Sequence, residues 1–304
     1  MTILVTGGTG FLGRRLLKAL ENRGEDVVVL SRHSTDITKR VIKKDLSCDA
    51  IDITDLEGVS KIFHLAAYTH DLNKPKKLEN LYRALNINGT KKLAKSAIAA
   101  GVKRFIYISS VKAGEANIDD HMQAIANNHK PQGIYGTTKR EAEKSILEMT
   151  KETEMNVTVL RPSLIYGSGV KGNLALMLKG IEQGWLPHPP SAMNRRSMIH
   201  VDDIVRAILF LENNKDSYGE IYIATDGVDY SIENIYETLC KLKGKKYGKS
   251  MLPLSVIKFL SKLHPGIDYR ARKLFGNEYY SSRKLQDLGF STKYRLSNLN
   301  EKIF

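Results

Sequence analysis

The chain has 304 residues, 42% of them hydrophobic, and a formal net charge of +14. This length and apolar content are typical of one large globular domain or two closely joined ones. The two cysteines, Cys48 and Cys240, lie far apart, which argues against a disulfide framework or a zinc site and favours a cytoplasmic protein. The apolar runs are too short to span a bilayer, and the start of the chain lacks the pattern of a secretory signal.

The positive charges are scattered along the chain rather than arranged in stripes. This pattern predicts a lysine-rich solvated surface, with a general attraction for phosphate groups or an acidic membrane as the alternative. No basic motif interleaved with aromatic residues is present, so nucleic-acid binding is not predicted. No metal site is predicted either.

The first half of the chain alternates short β-branched runs with amphipathic stretches. The predicted strands are residues 2–6, 27–30, 61–65, 105–109 and 157–160. The predicted helices are residues 12–22, 81–100 and 137–151. Because strict alternation of strand and helix indicates βαβ units, the sequence predicts an α/β fold with a doubly wound parallel (Rossmann) sheet.

The pattern changes after residue 166. Residues 167–197 are rich in Gly, Pro and Asn around one predicted helix, and a helix at 201–211 and a strand at 220–224 then resume the alternation. Beyond residue 231, Pro253 and Pro265 help to break the chain into short helices. The predicted organisation is a dinucleotide-binding domain at residues 1–166, with residues 199–226 returning to its sheet, and mainly a smaller C-terminal substrate-binding lobe at 167–304.

A glycine loop follows the first strand and opens the first helix. Gly7, Gly10 and Gly13 suit a tight turn, a close approach of the backbone to a pyrophosphate, and close packing of helix on strand. The N–H groups at the start of the helix, at Phe11 and Leu12, would then hold the phosphates. The loop therefore predicts a dinucleotide cofactor.

The end of the second strand bears on which dinucleotide is bound. An acidic residue there usually holds the ribose hydroxyls of NAD, whereas this chain has Ser31 and Arg32. A guanidinium can pair with a 2′-phosphate, so NADP(H) is favoured and NAD(H) is the alternative. In that alternative Arg32 is solvated and Asp36 reaches the ribose.

A candidate catalytic pair lies further along. Tyr135 and Lys139 are four residues apart and share one face of the predicted helix. A lysine near a tyrosine stabilises the phenolate and lowers the pKa of the phenol, which makes it an acid–base group near neutral pH. Upstream, Ser109 and Ser110 end a strand at the edge where parallel sheets bind ligands, so a hydroxyl there could hydrogen-bond a substrate.

With these motifs the chain resembles the extended short-chain dehydrogenase/reductases, the family of nucleotide-sugar epimerases, dehydratases and reductases. The likeness extends over almost the whole chain, and it implies catalytic roles for Tyr135, Lys139 and Ser110, rather than Ser109. The implied cofactor-binding residues are Gly7, Gly10, Phe11, Leu12, Gly13, Ser31, Arg32, Asp45, Leu46, Leu65, Ala66, Ala67, Tyr135, Lys139, Pro162 and Ser163.

The same resemblance implies that Asn173 and Arg196 hold the diphosphate of a UDP-sugar, with Ser110 and Tyr135 at the sugar. Arg195 is then expected to be solvated. His200 and Asp203, which resemble the start of a helix in the family, are expected to have structural roles. Relatives usually form homodimers through the helices at 81–100 and 137–151, and a homodimer is expected here.

The family carries out three kinds of reaction. Val111 and Lys112 stand where the 4,6-dehydratases carry an Asp-Glu pair, so dehydration is not expected. The prediction is NADPH-dependent reduction of a UDP-4-keto-(N-acetyl)deoxyhexose, favoured by Ser31 and Arg32 and by the likeness of residues 186–197 to such reductases. The first alternative is a UDP-sugar 4-epimerase with bound NAD. The second is a non-catalytic NADP(H)-sensing protein.

Overall fold

The structure, a computed structural model, describes residues 1–34, 38, 40–69, 75–114, 130–247 and 274–299, with the backbone alone at 75–77. Asp36 and the segment that contains Pro253 and Pro265 lie outside these residues. Among the helices in the described ranges, none combines the length and the apolar character needed to cross a bilayer.

In the described ranges, ten strands form two sheets. They are β1 Thr2–Thr6, β2 Asp26–Ser31, β3 Arg40–Lys43, β4 Val59–His64, β5 Arg104–Ile108, β6 Asn156–Pro162, β7 Leu164–Tyr166, β8 Arg196–His200, β9 Ile221–Ala224 and β10 Asp229–Tyr230. The central sheet has the order β3-β2-β1-β4-β5-β6-β9, and every neighbouring pair is parallel. The strand order reverses at β1, so the carboxyl ends of β1 and β4 flank the crevice where such sheets bind ligands.

Helices cover both faces of the central sheet. They are α1 Phe11–Asn22, α2 Pro75–Tyr82, α3 Thr90–Ala99, α4 Gly133–Thr150, α5 Asn173–Glu182, α6 Val201–Glu212, α7 Ile232–Leu242 and α8 Arg283–Asp287. Apolar side chains of α1 and α6 are buried on one face, and those of α3 and α4 on the other. The predicted doubly wound parallel sheet is confirmed.

The predicted helix at 81–100 is wrong in one respect. A π-helix, Arg83–Gly89, separates α2 from α3. Such segments are rare and often occur at functional sites, because the extra residue in the turn reorients the side chains around it.

A second, smaller sheet has the order β10-β8-β7, in which β8 is parallel to β7 and antiparallel to β10. None of these three strands was predicted from the sequence, nor was β3; β7 and β10 are too short to show a clear period. Helices α5 and α7 pack beside this sheet around a third apolar cluster. In the order of the chain, β9 follows α6 and lies beside β6 in the central sheet.

A buried charged cluster lies at the amino-terminal edge of the central sheet. The guanidinium of Arg104 donates to the carbonyls of Leu211 (2.6 Å) and Glu212 (3.1 Å) at the end of α6. Burial lowers the pKa of Arg104 to about 10, which still leaves it charged at neutral pH. The buried carboxylate of Glu212 pairs with Lys61 (2.6 Å) and Arg23 (3.1 Å). The cluster fastens α6 to the strands at the edge opposite their carboxyl ends.

Arg104→Ala should lower the free energy of unfolding by about 3 kcal/mol, because buried carbonyls lose a charged donor and the cavity is not refilled. Urea denaturation measures this change. Arg40→Ala is the matched control: Arg40 also begins a strand, but both it and its partner Asp26 are about half exposed. The control should cost less than about 1 kcal/mol. Equal losses for the two variants would contradict the role given to Arg104.

Candidate functional site

The glycine loop forms a cradle of bare backbone. Gly7 has a φ of +71°, and a Cβ added to it would lie 2.7 Å from the amide nitrogen of Ala66. A Cβ on Gly13 would overlap the carbonyl oxygen of Gly7. The amide of Gly10 closes the turn by donating to that carbonyl, at 3.0 Å. Only glycine therefore allows the loop and the start of α1 to lie this close to the loop after β4.

The start of α1 suits a phosphate group. Its N-cap is Gly10, no side chain caps the helix, and the first turn carries no acidic residue. The N–H groups and the positive end of the helix dipole are thus not neutralised by the chain's own side chains. The residues present fit the pyrophosphate of a dinucleotide.

A relay of hydrogen bonds positions the loop after β4. The amide of Ala66 donates to Thr6 Oγ1 (3.1 Å), and this hydroxyl contacts His64 Nδ1 at 2.6 Å. On the other side of the ring, His64 Nε2 lies 2.8 Å from Thr90 Oγ1, whose hydroxyl donates to the carbonyl of Asn86. Because the Thr90 hydroxyl donates to a carbonyl, it accepts from His64, so the imidazole carries a proton on Nε2. Burial lowers the pKa of His64 to about 3, so the ring is neutral and its Nδ1 accepts from the Thr6 hydroxyl.

Ser110 and Tyr135 are brought together by a close contact between backbones. Ser110 follows β5 and caps a 3₁₀ turn, Val111–Ala113. A Cβ on Gly136 would overlap the carbonyl of Lys112, so glycine lets the start of α4 lie directly against this turn. The Ser110 hydroxyl then lies near enough to the phenol of Tyr135 to lower its pKa. The sequence analysis singled out Tyr135 but missed its neighbour Gly136.

Burial dominates the pKa values of the candidate catalytic pair. It raises the pKa of Tyr135 to about 12, and the hydrogen bond with Ser110 offsets only part of this rise. It also lowers the pKa of Lys139 to about 7. The Lys139 ammonium donates to the carbonyl of Ile108 (2.6 Å) and lies 4.2 Å from the centre of the Tyr107 ring. The predicted lowering of the tyrosine pKa is therefore wrong for this structure, in which the phenol is a proton donor at neutral pH.

A buried ion pair lies one turn beyond Lys139. Arg161, in β6, donates from Nε to Glu143 Oε1 (2.8 Å) and from its terminal nitrogen to Oε2 (2.5 Å), and both side chains are 1% exposed. The charge of Glu143 raises the pKa of Lys139 and so opposes the effect of burial. The sequence analysis missed both residues. Two features of the sequence could have indicated them: Arg161 lies in a largely apolar strand, and Glu143 follows Lys139 by four residues on the same helix.

Asn86, in the π-helix, connects two parts of the site. Its side chain accepts from the amide of Tyr68 (2.7 Å), in the loop after β4, and donates to Thr138 Oγ1 (3.1 Å) in α4. The Thr138 hydroxyl in turn donates to the carbonyl of Tyr135, at 3.0 Å. The π-helix therefore joins the loop after β4 to α4, the helix that carries Tyr135 and Lys139.

The residues predicted to face the adenosine end lie after β2 and β3. Ser31 ends β2 and Arg32 is exposed beyond it, whereas Leu46 is buried. Burial alone would raise the pKa of Asp45, but hydrogen bonds from Ser47 and the nearby charge of Arg32 lower it overall. The charge of Arg32 therefore stabilises the ionised carboxylate of Asp45.

The other predicted cofactor residues line the carboxyl edge. Phe11 and Leu12 begin α1, and Pro162 ends β6. Leu65, Ala66 and Ala67 are half-buried in the loop after β4. Ser163 is buried, and its hydroxyl has no hydrogen-bond partner within the described part of the chain.

The predicted diphosphate-binding residues lie in different settings. Asn173 is exposed at the start of α5. Arg196 is buried at the start of β8, where burial lowers the pKa of its guanidinium and Glu278, at 3.7 Å, opposes the effect. Arg195 is exposed, as expected, and it also pairs with Asp229 (2.7 Å) and stacks on the ring of Tyr279.

His200 and Asp203 have structural contacts, as expected. His200 caps α6 by accepting from the amide of Asp202. The buried carboxylate of Asp203 accepts from the amides of Lys293 and Tyr294, at 2.8–3.0 Å. These bonds hold the described C-terminal segment against the start of α6.

Glu143→Gln should lower the pKa of Lys139 further, because the variant removes the charge that opposes desolvation of the ammonium. NMR of the lysine side chain across a pH titration measures the change. Glu141→Gln is the control on the same helix, since Glu141 is exposed and pairs weakly with Arg83. An unchanged Lys139 pKa in folded Glu143→Gln protein would contradict the coupling.

Comparisons with known proteins give the family. The chain matches the profile of the "NAD dependent epimerase/dehydratase family" over residues 3–224. It is 31% identical to a UDP-glucose 4-epimerase of Vibrio cholerae over 268 residues, which are 86% of this chain and 82% of that protein. It is 26% identical over 314 residues to the N-acetyl-alpha-D-glucosaminyl-diphospho-ditrans,octacis-undecaprenol 4-epimerase of Escherichia coli O157:H7, covering 97% and 92% of the two chains.

Among solved structures, the chain is similar to MoeE5 in complex with UDP-glucuronic acid and NAD, with 25% identity and a TM-score of 0.75, covering 98% of this chain and 95% of that one. The resemblance expected from the motifs is confirmed. The chain belongs to the NAD dependent epimerase/dehydratase family and is an enzyme of the extended short-chain dehydrogenase/reductase type.

Proposed function

We propose that this enzyme is a 4-epimerase of UDP-sugars that uses bound NAD. The observation that carries the proposal is the closeness of Ser110 to Tyr135, whose pKa the Ser110 hydroxyl lowers, with Lys139 on the same helix beside the glycine cradle. A hydroxyl and a phenol at this place suit the removal and return of the proton of a sugar hydroxyl. The V. cholerae relative, a UDP-glucose 4-epimerase, supports this reaction over the predicted reductase.

The setting of Arg32 supports NAD rather than the predicted NADP(H). Its charge already acts on Asp45. A 2′-phosphate next to Arg32 would also lie near the Asp45 carboxylate, whose repulsion opposes binding. The solved MoeE5 structure, which is a complex with NAD, points the same way.

The mechanism follows from the residues on this edge. Gly7, Gly10 and Gly13 would hold the pyrophosphate of NAD, and Pro162 and Ser163 would line its nicotinamide. When bound, the nicotinamide supplies the means to take a hydride from C4 and to return it to the opposite face.

Proton transfer falls to the chain's own side chains. Tyr135 accepts the proton of the C4 hydroxyl during oxidation and returns it during reduction, while Ser110 orients the same oxygen by a hydrogen bond. A phenol with a pKa of about 12 holds its proton firmly. In this structure the Ser110 hydroxyl lowers the pKa of the phenol, and we propose that the positive charge of Lys139, on the same helix face, adds to this stabilisation of the phenolate when substrate and NAD are bound. The pKa of Lys139 near 7 makes that charge sensitive to pH in the neutral range.

The first test is an assay of the purified enzyme with UDP-glucose. We expect conversion to the C4 epimer with no net change in the cofactor, and NAD as the dinucleotide released on denaturation. Tyr135→Phe should lower kcat by about a hundredfold or more, because the general acid–base group is lost while the ring remains. Tyr222→Phe is the control, since that hydroxyl bonds the carbonyl of Asp216 near the start of β9.

Stoichiometric consumption of NADPH with a UDP-4-keto sugar would instead establish the reductase. An enzyme with neither activity, and with Tyr135→Phe unchanged in its cellular effect, would support the sensing protein. The complete set of Ser110, Tyr135 and Lys139 argues against that alternative.

A second test concerns the diphosphate. A buried guanidinium gains stability from an anion, which supports the proposal that Arg196, beside Glu278 at 3.7 Å, binds the substrate's diphosphate. Arg196→Lys keeps a charge but loses the planar fork of donors, and it should weaken UDP binding by about tenfold. Calorimetric titration of UDP measures this, with Arg195→Ala as the control because Arg195 is engaged by Asp229. Unchanged UDP affinity in Arg196→Lys and Arg196→Ala would contradict the assignment, as would a larger loss in Arg195→Ala.

The expected homodimer, through the helices at 81–100 and 137–151, and the cytoplasmic location remain proposals. Light scattering of the purified protein tests the first.

A further inference from the structure

We propose that His188, Glu233 and Glu237 form a binding site for a divalent transition-metal ion, with Zn²⁺ as the matching ion. One ligand atom from each of these residues lies within 4.8 Å of the other two. The cluster belongs to the substrate-side lobe and takes no part in the proposed sugar chemistry. The inference therefore goes beyond the proposed function and does not depend on it.

The first argument is the state of the histidine. The Nδ1 atom of His188 contacts the carbonyl oxygen of Pro189 at 2.7 Å. Because a carbonyl can only accept, Nδ1 carries a proton, and the neutral form of the ring presents its lone pair at Nε2. An imidazole fixed by a carbonyl at one nitrogen and open at the other is the usual arrangement of a metal-binding histidine.

The second argument is where that lone pair points. The side chain of His188 is only 8% exposed, and the rings of Tyr236 and Tyr247 pack against it. Its Nε2 faces Glu237 Oε1 at 3.6 Å, which is beyond hydrogen-bond distance. Two ligands each about 2.1 Å from a tetrahedral Zn²⁺ lie about 3.4 Å apart, so this separation is close to that of a ligand pair.

The third argument concerns the carboxylates. Glu233 and Glu237 are one turn apart on α7, so they share a face of the helix and repel each other. Glu233 also accepts from Ser191 Oγ at 2.8 Å, which draws it toward the loop that carries His188. A divalent cation would neutralise the two negative charges. One imidazole and two carboxylates suit Zn²⁺ and leave a fourth position for water.

The site would join two separate parts of the lobe. His188 lies in the loop between α5 and β8, whereas both glutamates lie on α7. The Tyr236 hydroxyl already donates to the carbonyl of Leu186 in this loop, at 3.0 Å. A bound ion would add a second and stronger tie, and would fix the loop that leads to Arg196.

The test is calorimetric titration of Zn²⁺ into the chelator-treated full chain, without dinucleotide or sugar, in a Cys48→Ser background that removes the exposed thiol. We expect one saturable site per chain. Glu237→Gln and His188→Gln should each weaken binding at least tenfold, and Zn²⁺ should raise the Tm of the parent but not of these variants. Glu182→Gln is the matched control in the same lobe, since its carboxylate pairs with Lys243.

Absence of saturable binding, or equal Zn²⁺ affinity in the parent and in Glu237→Gln, would overturn the proposal. Because the Glu237 side chain is 31% exposed, its replacement by the isosteric glutamine should leave the fold intact. The Zn²⁺ affinity of Glu237→Gln therefore tests the site even if His188→Gln does not fold. Loss of epimerase activity has no bearing on this result, since binding is measured with the metal alone.

Discussion

The site at the carboxyl edge depends on close approach between backbones. Gly7 lies against the backbone at Ala66, and Gly136 against the carbonyl of Lys112. Gly89, at the end of the π-helix, is a third such contact, since a Cβ there would lie 2.7 Å from the carbonyl oxygen of Leu46. Each glycine removes the side chain that would hold a helix or loop away from the strand ends. These three contacts position the glycine loop, the loop after β3 that contains Leu46, and the start of α4 that carries Tyr135.

Burial at that edge then decides the charge of each group. The same desolvation raises the pKa of Tyr135 and lowers that of Lys139, because in both cases it disfavours the charged form. Arg161 pairs with the buried carboxylate of Glu143. The charge of Glu143 raises the pKa of Lys139 although the carboxylate is shielded from water. The neutral His64 fixes the neighbouring loop without adding a charge. Lys139, with a pKa of about 7, is thus a group at this edge whose charge changes with pH near neutrality.

The sequence was informative where a feature is local. The turn at Gly7 and the shared face of Tyr135 and Lys139 are set by spacing within a few residues, and the structure has them as predicted. The short strands β3, β7, β8 and β10 were missed because their pairing depends on distant segments. The pKa of Tyr135 was predicted in the wrong direction because burial depends on the whole fold.

Features created by long-range contacts were missed for a related reason. Arg32 and Asp45 follow different strands, so nothing in the sequence indicated that the charge of Arg32 lowers the pKa of Asp45. Glu143 and Arg161 meet only when α4 packs on β6, and His188 meets Glu233 only in the folded lobe. Spacing alone could not relate these residues.

The buried cluster around Arg104 lies at the end of the sheet away from the chemistry. Most of its bonds are to main-chain carbonyls and to neighbouring strands, so they do not change when side chains at the opposite edge are exchanged. A chain anchored in this way can accept substitutions in its ligand-contacting loops without losing its folded state. This separation offers a route by which one scaffold changes its substrate, and under the proposed function the loops around Asn173 and Arg196 are the place to redesign selectivity.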